Sequence, residues 1–160
     1  MDAALSGLND TLNLLGKPGV APKDVVRRMQ EIVSPVDVSI LKTGRGLSRA
    51  LAELEDARDN ILPLLTASVP HYLLKLAEAR AMTLLTEIYL KSALARKESR
   101  CGHFREDYPK RQEQIAWVNV EKRDGEICAT LAPVPLERYP VKPYRYYMDD
   151  FAYPDQPLSE

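Results

Sequence analysis

Between residues 96 and 109 the chain reads RKESRCGHFREDYP, its densest polar constellation, with Arg96, Arg100 and Arg105 set among Glu98, Glu106 and Asp107. A guanidinium stays charged at any ordinary pH and presents a planar fork that matches a carboxylate. This composition suits an ion-pair network that fixes a turn against another surface; a solvated helix terminus of mixed charge is the alternative. Cys101, His103 and Cys128 are metal-ligand types, but Cys-x-His followed by one distant Cys lacks the paired spacing of a structural zinc site. His71 falls near an expected helix start, a place for a capping or surface histidine rather than a catalytic base. The sequence contains no Ser-His-Asp order, P-loop, H-E-x-x-H or G-x-G-x-x-G. No catalytic, cofactor-binding or metal-ligating residue is therefore assigned.

The elements that position this run are mainly helical. Residues 1–21 carry Gly7, Gly16, Pro18 and Gly19 among short apolar groups and read as a docking arm or linker. Pro22 suits a first helical turn, and Val25, Val26, Met29, Ile32 and Val33 repeat at helical spacing until Pro35, giving a helix over roughly 22–33. A crossover from Ser34 to Gly46, with room for one short helical turn, leads to a second helix over about 45–65. Its face is Leu47, Leu51, Leu54, Ile61 and Leu65, and Pro63 lies near its end. After Ser68 and Pro70 the chain runs to Arg100 without Gly or Pro, which predicts the longest helix, with Gly102 as its C-cap. Alternation from Trp117 to Leu131 about Arg123-Asp124-Gly125 predicts a hairpin. Beyond it, Pro133 to Pro157 interleave with Tyr139, Tyr144, Tyr146, Tyr147 and Tyr153, as in an extended strap laid on a partner. The expected fold is thus mainly α: a three-helix bundle-like domain over 22–136 with a long third helix and a small C-terminal hairpin, then a Pro/Tyr-rich tail over 137–160.

Composition bounds the setting. The chain has 160 residues, 45% of them hydrophobic, enough for one domain with a real core. With 22 basic and 23 acidic side chains the net charge is -1, so no global field draws it to nucleic acid or an anionic membrane. Two cysteines make no disulfide framework and suit free thiols in a reducing compartment, with the cytoplasm as the expected location. No apolar run approaches the ~20 residues of a membrane span.

The twelve residues from Glu98 to Pro109, ESRCGHFREDYP, resemble the E-S-R-G-x-H-x-R-x-D-[YF]-P signature of the C-terminal helical domain in succinate dehydrogenase, fumarate reductase and L-aspartate oxidase flavoproteins. Gly46 to Leu54 is similar to that family's G-L-x-x-A-L-x-x-L helix, and the resemblance covers roughly residues 24–139, Trp117 included. Cys101 departs from it, standing where the family has Gly, with Gly102 beside it to take the left-handed position. The resemblance implies a small non-catalytic subunit that completes a split FAD-dependent oxidoreductase. FAD and the catalytic residues are then expected on a separate flavoprotein subunit, with an iron–sulfur subunit as a further contact and membrane association only through that larger complex. Arg96, Glu98, Ser99, Arg100, His103, Arg105, Asp107 and Tyr108, with Tyr144, Tyr146 and Tyr147 of the tail, are the expected partner interface. The rivals are a stand-alone helical adaptor without a redox partner and an enzyme using His103 and Arg105 directly.

Overall fold

Pro22 sits at the start of α1 (Pro22–Val33), where its missing N–H leaves nothing unsatisfied. In this computed structural model, which describes Gly7 and residues 9–140, α1 buries Val25, Met29 and Ile32, one side of the helical repeat. The crossover contains a single helical turn, α2 (Val36–Ser39), which puts Val38 into the core. Thr43 caps α3 (Gly44–Asn60) by accepting the Gly46 amide at 2.9 Å. That helix stops at Asn60 rather than running to 65, because Pro63 falls in a tight 3₁₀ turn over Leu62–Leu64.

The longest helix, α4 (His71–Ala95), is the axis of the bundle. Leu76, Ala79, Leu90 and Ala93 lie on its inner face. Around them are two pockets of core, one holding Met29, Ile32, Val38, Leu47 and Leu54, the other Val25, Leu65 and Ala67. Thr83 and Thr86 on the same face return their hydroxyls to the carbonyls of Ala79 and Met82. Glu87 joins Lys91 at 2.8 Å, which lets a carboxylate sit near the core. The opposite face of α4 carries no charge at its centre and exposes Leu74, Leu84 and Leu85.

Strands β1 (Ala116–Arg123) and β2 (Glu126–Pro133) pair antiparallel from Ala116↔Pro133 to Arg123↔Glu126. Asp124 and Gly125 have φ of 50° and 90°, the left-handed pair that a two-residue turn of this hand requires. Lys91 fastens the hairpin to α4 by donating to the Ile127 carbonyl at 2.9 Å. The expected mainly helical fold with a C-terminal hairpin is the one observed. Part of the N-terminal segment lies along residues 64–67: the Gly16 and Val20 amides donate to Ala67 and Leu64, and Thr66 and Ala67 donate back to Val20 and Leu14. Tyr144, Tyr146 and Tyr147 fall outside the described residues, as does the rest of the chain beyond 140.

Gly46 is dictated by close approach. A Cβ on Gly46 would stand 2.5 Å from the Asp37 carbonyl and 2.6 Å from its carboxylate, which is itself held by the fork of Arg49. Gly46→Ala should therefore cost about 1–3 kcal/mol, the usual scale for overpacking, read as a lower midpoint in urea unfolding; an unchanged midpoint would contradict the close packing of α2 on α3.

Candidate functional site

The signature run leaves the end of α4 and folds back on it. Arg96 is the last residue of the helix in a capping sense, with extended backbone, so the helix ends at Ala95 and not at the expected Gly102 cap. The cause is visible in the side chain of Arg105, 2% exposed and among the largest fully buried groups. Its Nη1 donates to the Ala93 carbonyl at 2.7 Å and lies 3.3 Å from that of Arg96, two of the carbonyls a helix end leaves without partners. Nε and Nη2 meet the two oxygens of Asp107 at 2.8 and 2.7 Å, a bidentate pair. Asp107 Oδ2 in turn accepts the Gly44 amide, the first N–H of α3, at 2.9 Å. One ion pair thus caps the negative end of α4 and the positive end of α3 together, each charge matched to the helix dipole it faces.

Glu98 is the second centre, 3% exposed. It accepts Arg96 Nη1 at 2.7 Å, Arg100 Nη2 at 2.9 Å and the Gln112 amide at 3.0 Å. Burial works to raise its pKa, but hydrogen bonds from Arg100 and Gln112 and the charge of Arg100 outweigh it, and the carboxyl stays below its ordinary range. Arg96 also reaches the Ala116 carbonyl at 3.0 Å, which ties this centre to β1. Ser99 donates to the Tyr108 carbonyl at 2.9 Å and accepts the Arg105 amide at 2.8 Å. Tyr108 lies under the Arg105 guanidinium, 5.0 Å from ring centre to charge, with a third of its surface open.

His103 is half-buried with Nε2 3.3 Å from the Arg96 carbonyl, to which it donates when that nitrogen carries the proton. Desolvation lowers its pKa and the nearby Lys42, Arg96 and Arg105 lower it further, so a neutral ring is favoured. It borders a shallow recess of about 320 Å³ with Tyr89, Ser92, Ala93, Arg96 and Val118. Cys101 and His103 are not joined by Cys128, which lies on β2, and among the described residues no group of three or more His, Cys, Asp and Glu could hold a metal ion. Several participants carry no mark in the sequence. Lys42 is 4% exposed with its ammonium on the Ser39 carbonyl, and its backbone pairs with Phe104 and Glu106. Gly44 and Gln112 act through backbone amides, which side-chain type cannot reveal.

The comparisons with known proteins agree with this geometry. The family described as fumarate reductase flavoprotein C-terminal matches residues 26–146. The chain belongs to that family. An FAD-dependent oxidoreductase of Methanocaldococcus jannaschii is 35% identical over 77 residues, which is 48% of this chain and 14% of the relative. Two solved structures of Mycobacterium smegmatis Sdh1 share the fold: the apo complex, with a TM-score of 0.70 at 20% identity over 97% of this chain, and the complex with UQ1, with 0.67 at 21% over 83%. The 160 residues span 28% and 24% of those chains respectively. Among the described residues of this flavoprotein C-terminal domain, no helix is long and apolar enough to cross a membrane.

The departure from the family signature has a structural outcome. Arg100 and His103 exchange backbone hydrogen bonds at 2.8 and 3.0 Å about a two-residue turn, and Cys101 itself takes the left-handed φ of 52°. Gly102 does not take over that position, because in this turn the left-handed residue is the first of the central two. Cys101→Gly should stabilise the domain by up to about 1 kcal/mol, while Gly102→Ala, whose Cβ would meet nothing within 4 Å, should leave the melting temperature in place; the reverse ranking would contradict this turn.

Acid titration tests the pair that joins the helices. The hydrogen bonds from Arg105 hold the Asp107 carboxyl at about 2, below its ordinary 3.8. A depressed folded pKa means that the stabilisation is complete above the ordinary value and drains away as pH falls through about 2. Asp107→Asn should flatten the loss of stability between those limits in acid unfolding curves, and superimposable acid limbs would contradict it. Arg105→Ala leaves a carboxylate and helix carbonyls behind and should cost about 3–5 kcal/mol at neutral pH.

Proposed function

We propose that this domain completes an FAD-dependent oxidoreductase of the succinate dehydrogenase and fumarate reductase type, as a small non-catalytic subunit packed on a separate FAD-binding flavoprotein subunit. Membership of the flavoprotein C-terminal family across residues 26–146 carries this reading. The M. jannaschii relative, named for FAD dependence, supports the cofactor's presence in the assembly. The Sdh1 complexes lend support for an assembly of several subunits, an iron–sulfur subunit being the further contact this reading includes.

The described residues do not themselves fit FAD. A flavin dinucleotide needs backbone amides at a glycine-rich helix start for its pyrophosphate. At the glycine-rich start of α3 the Gly44 amide is already taken by the Asp107 carboxylate, and a Cβ on Gly46 would strike Asp37 rather than open space. No chemical step is assigned to this chain. Its signature side chains divide by depth: Glu98, Ser99 and Arg105 are buried and hold the turn, while Asp107 and Tyr108 reach the surface, with Arg96, Arg100 and His103 between. In this reading the outer members, with Tyr144, Tyr146 and Tyr147, touch the partner.

Expressed alone, the chain should be colourless and inactive toward fumarate and succinate with artificial electron carriers. Expressed with an FAD-binding flavoprotein subunit from the same genome, it should co-purify as a yellow one-to-one complex. Stoichiometric FAD on the isolated chain, or failure of the two to associate, would overturn the reading.

A further inference from the structure

Lys42 is a buried cation without a counter-ion. It is 4% exposed, and among the described residues its ammonium meets one partner, the Ser39 carbonyl at 2.8 Å. An ammonium has three N–H groups to satisfy, and a buried charge is ordinarily matched by an opposite one. The carboxylates of the signature run are engaged elsewhere: Asp107 on the fork of Arg105, Glu98 on Arg96 and Arg100. Glu106, whose amide donates to the Lys42 carbonyl, is exposed and forms no ion pair with it.

His103 lies beside this charge. The Lys42 backbone pairs with Phe104 at 3.2 Å and Glu106 at 2.9 Å, which sets it along the segment that carries the histidine. The ring borders the recess of about 320 Å³ with Tyr89, Ser92, Ala93 and Arg96 of the α4 end and Val118 of β1. The charges that act most strongly on it are all positive: Lys42 from the crossover, Arg96 from the helix end and Arg105 from its own turn. Tyr89 is kept neutral by burial, which raises its pKa. With a proton on Nε2, which faces the Arg96 carbonyl at 3.3 Å, the other ring nitrogen is an acceptor without a partner among the described residues. A second proton turns it into a donor.

We propose that this recess receives one carboxylate group, which accepts from a protonated His103 and supplies the negative charge that Lys42 lacks within its own chain. An opposite charge arriving beside the ring favours its charged form, so binding takes up a proton from solvent. A phosphate group is a poorer fit. It is held best by guanidinium forks, and those of Arg96, Arg100 and Arg105 are already engaged by carboxylates and carbonyls. What remains is an ammonium and one ring nitrogen, enough for a single carboxylate. The recess is shallow, so an Asp or Glu side chain of the flavoprotein subunit and a small free carboxylate can both reach it. The site stands on this chain's own residues; only the first of these sources rests on the function proposed above.

The test follows the two histidines of the full chain by NMR through pH titrations in sodium acetate and in sodium chloride at equal ionic strength. The His103 midpoint should lie about 1 higher in acetate, while the curve of the exposed His71 should be the same in both salts. Lys42→Met should abolish the acetate response with circular dichroism kept, and the wild-type comparison decides even if that variant does not fold. Equal His103 midpoints in the two salts, or an acetate response that survives in Lys42→Met, would overturn the proposal; a response to sulfate as large as that to acetate would overturn the choice of carboxylate. Co-purification with the flavoprotein subunit then identifies the source. Association weakened several-fold by acetate relative to chloride assigns the recess to a side chain of that subunit, and unchanged association assigns it to a free carboxylate. Failure of the two chains to associate overturns the function proposed above and likewise leaves a free carboxylate as the occupant.

Discussion

The Arg105 guanidinium, itself out of water, has to satisfy two demands at once: the carbonyls left over at the end of α4 and the carboxylate of Asp107, which stays partly open to solvent. A buried guanidinium with either of these missing would be costly, since an ion out of water is repaid only by complete pairing. Here the pairing is complete, and it extends through Asp107 to the first amide of α3. The relative position of the two longest helices is therefore fixed at their ends by one planar fork. Between the ends, Leu47, Leu54, Leu90 and Ala93 hold them by ordinary packing.

Other features follow from where that fork must sit. To bring Arg105 back under the α4 terminus, the chain has to reverse within a few residues, and the tight turn at Cys101 does so. The backbone pairing of Lys42 with Phe104 and Glu106 then fixes the crossover before α3. Glu98 provides a second anchor on the other side of the turn, and through Arg96 it reaches the first residue of β1. The hairpin is thus placed from two points, the signature run at its base and Lys91 along its length. A two-stranded hairpin has little stability of its own, so these attachments are what make it part of the domain.

Much of this was legible in the residues. The spacing of Val25, Met29 and Ile32 marked α1, the unbroken run after Pro70 marked α4, and Asp124-Gly125 marked the turn of the hairpin, because periodicity and turn chemistry are local properties. The charge composition of residues 96–109 pointed to an ion-pair network, and the structure contains one. The ends of the helices were less legible. Helix α4 gives way at Ala95 because a side chain ten residues later takes its carbonyls, and α3 stops at Asn60 where a 3₁₀ turn accommodates Pro63. Neither boundary is a local property. Lys42, Gly44 and Gln112 could not be read at all, since they contribute through backbone atoms or through burial that only the assembled fold creates.

The same interaction connects fold to function. The family signature spends its innermost members on holding α3, α4 and the hairpin in one arrangement, and this leaves a rigid body whose outer members and apolar side face outward. In the function proposed above, such a body completes a flavoprotein without contributing a reacting group. The claim at the centre is that Arg105 and Asp107 act as one unit rather than as two independent caps. A double-mutant cycle in urea unfolding at neutral pH, with Arg105→Met and Asp107→Asn singly and together, measures this directly. Coupling of about 1.5 kcal/mol or more, so that the double variant is little worse than Arg105→Met alone, is the predicted result; single costs that add to within about 0.5 kcal/mol would contradict it.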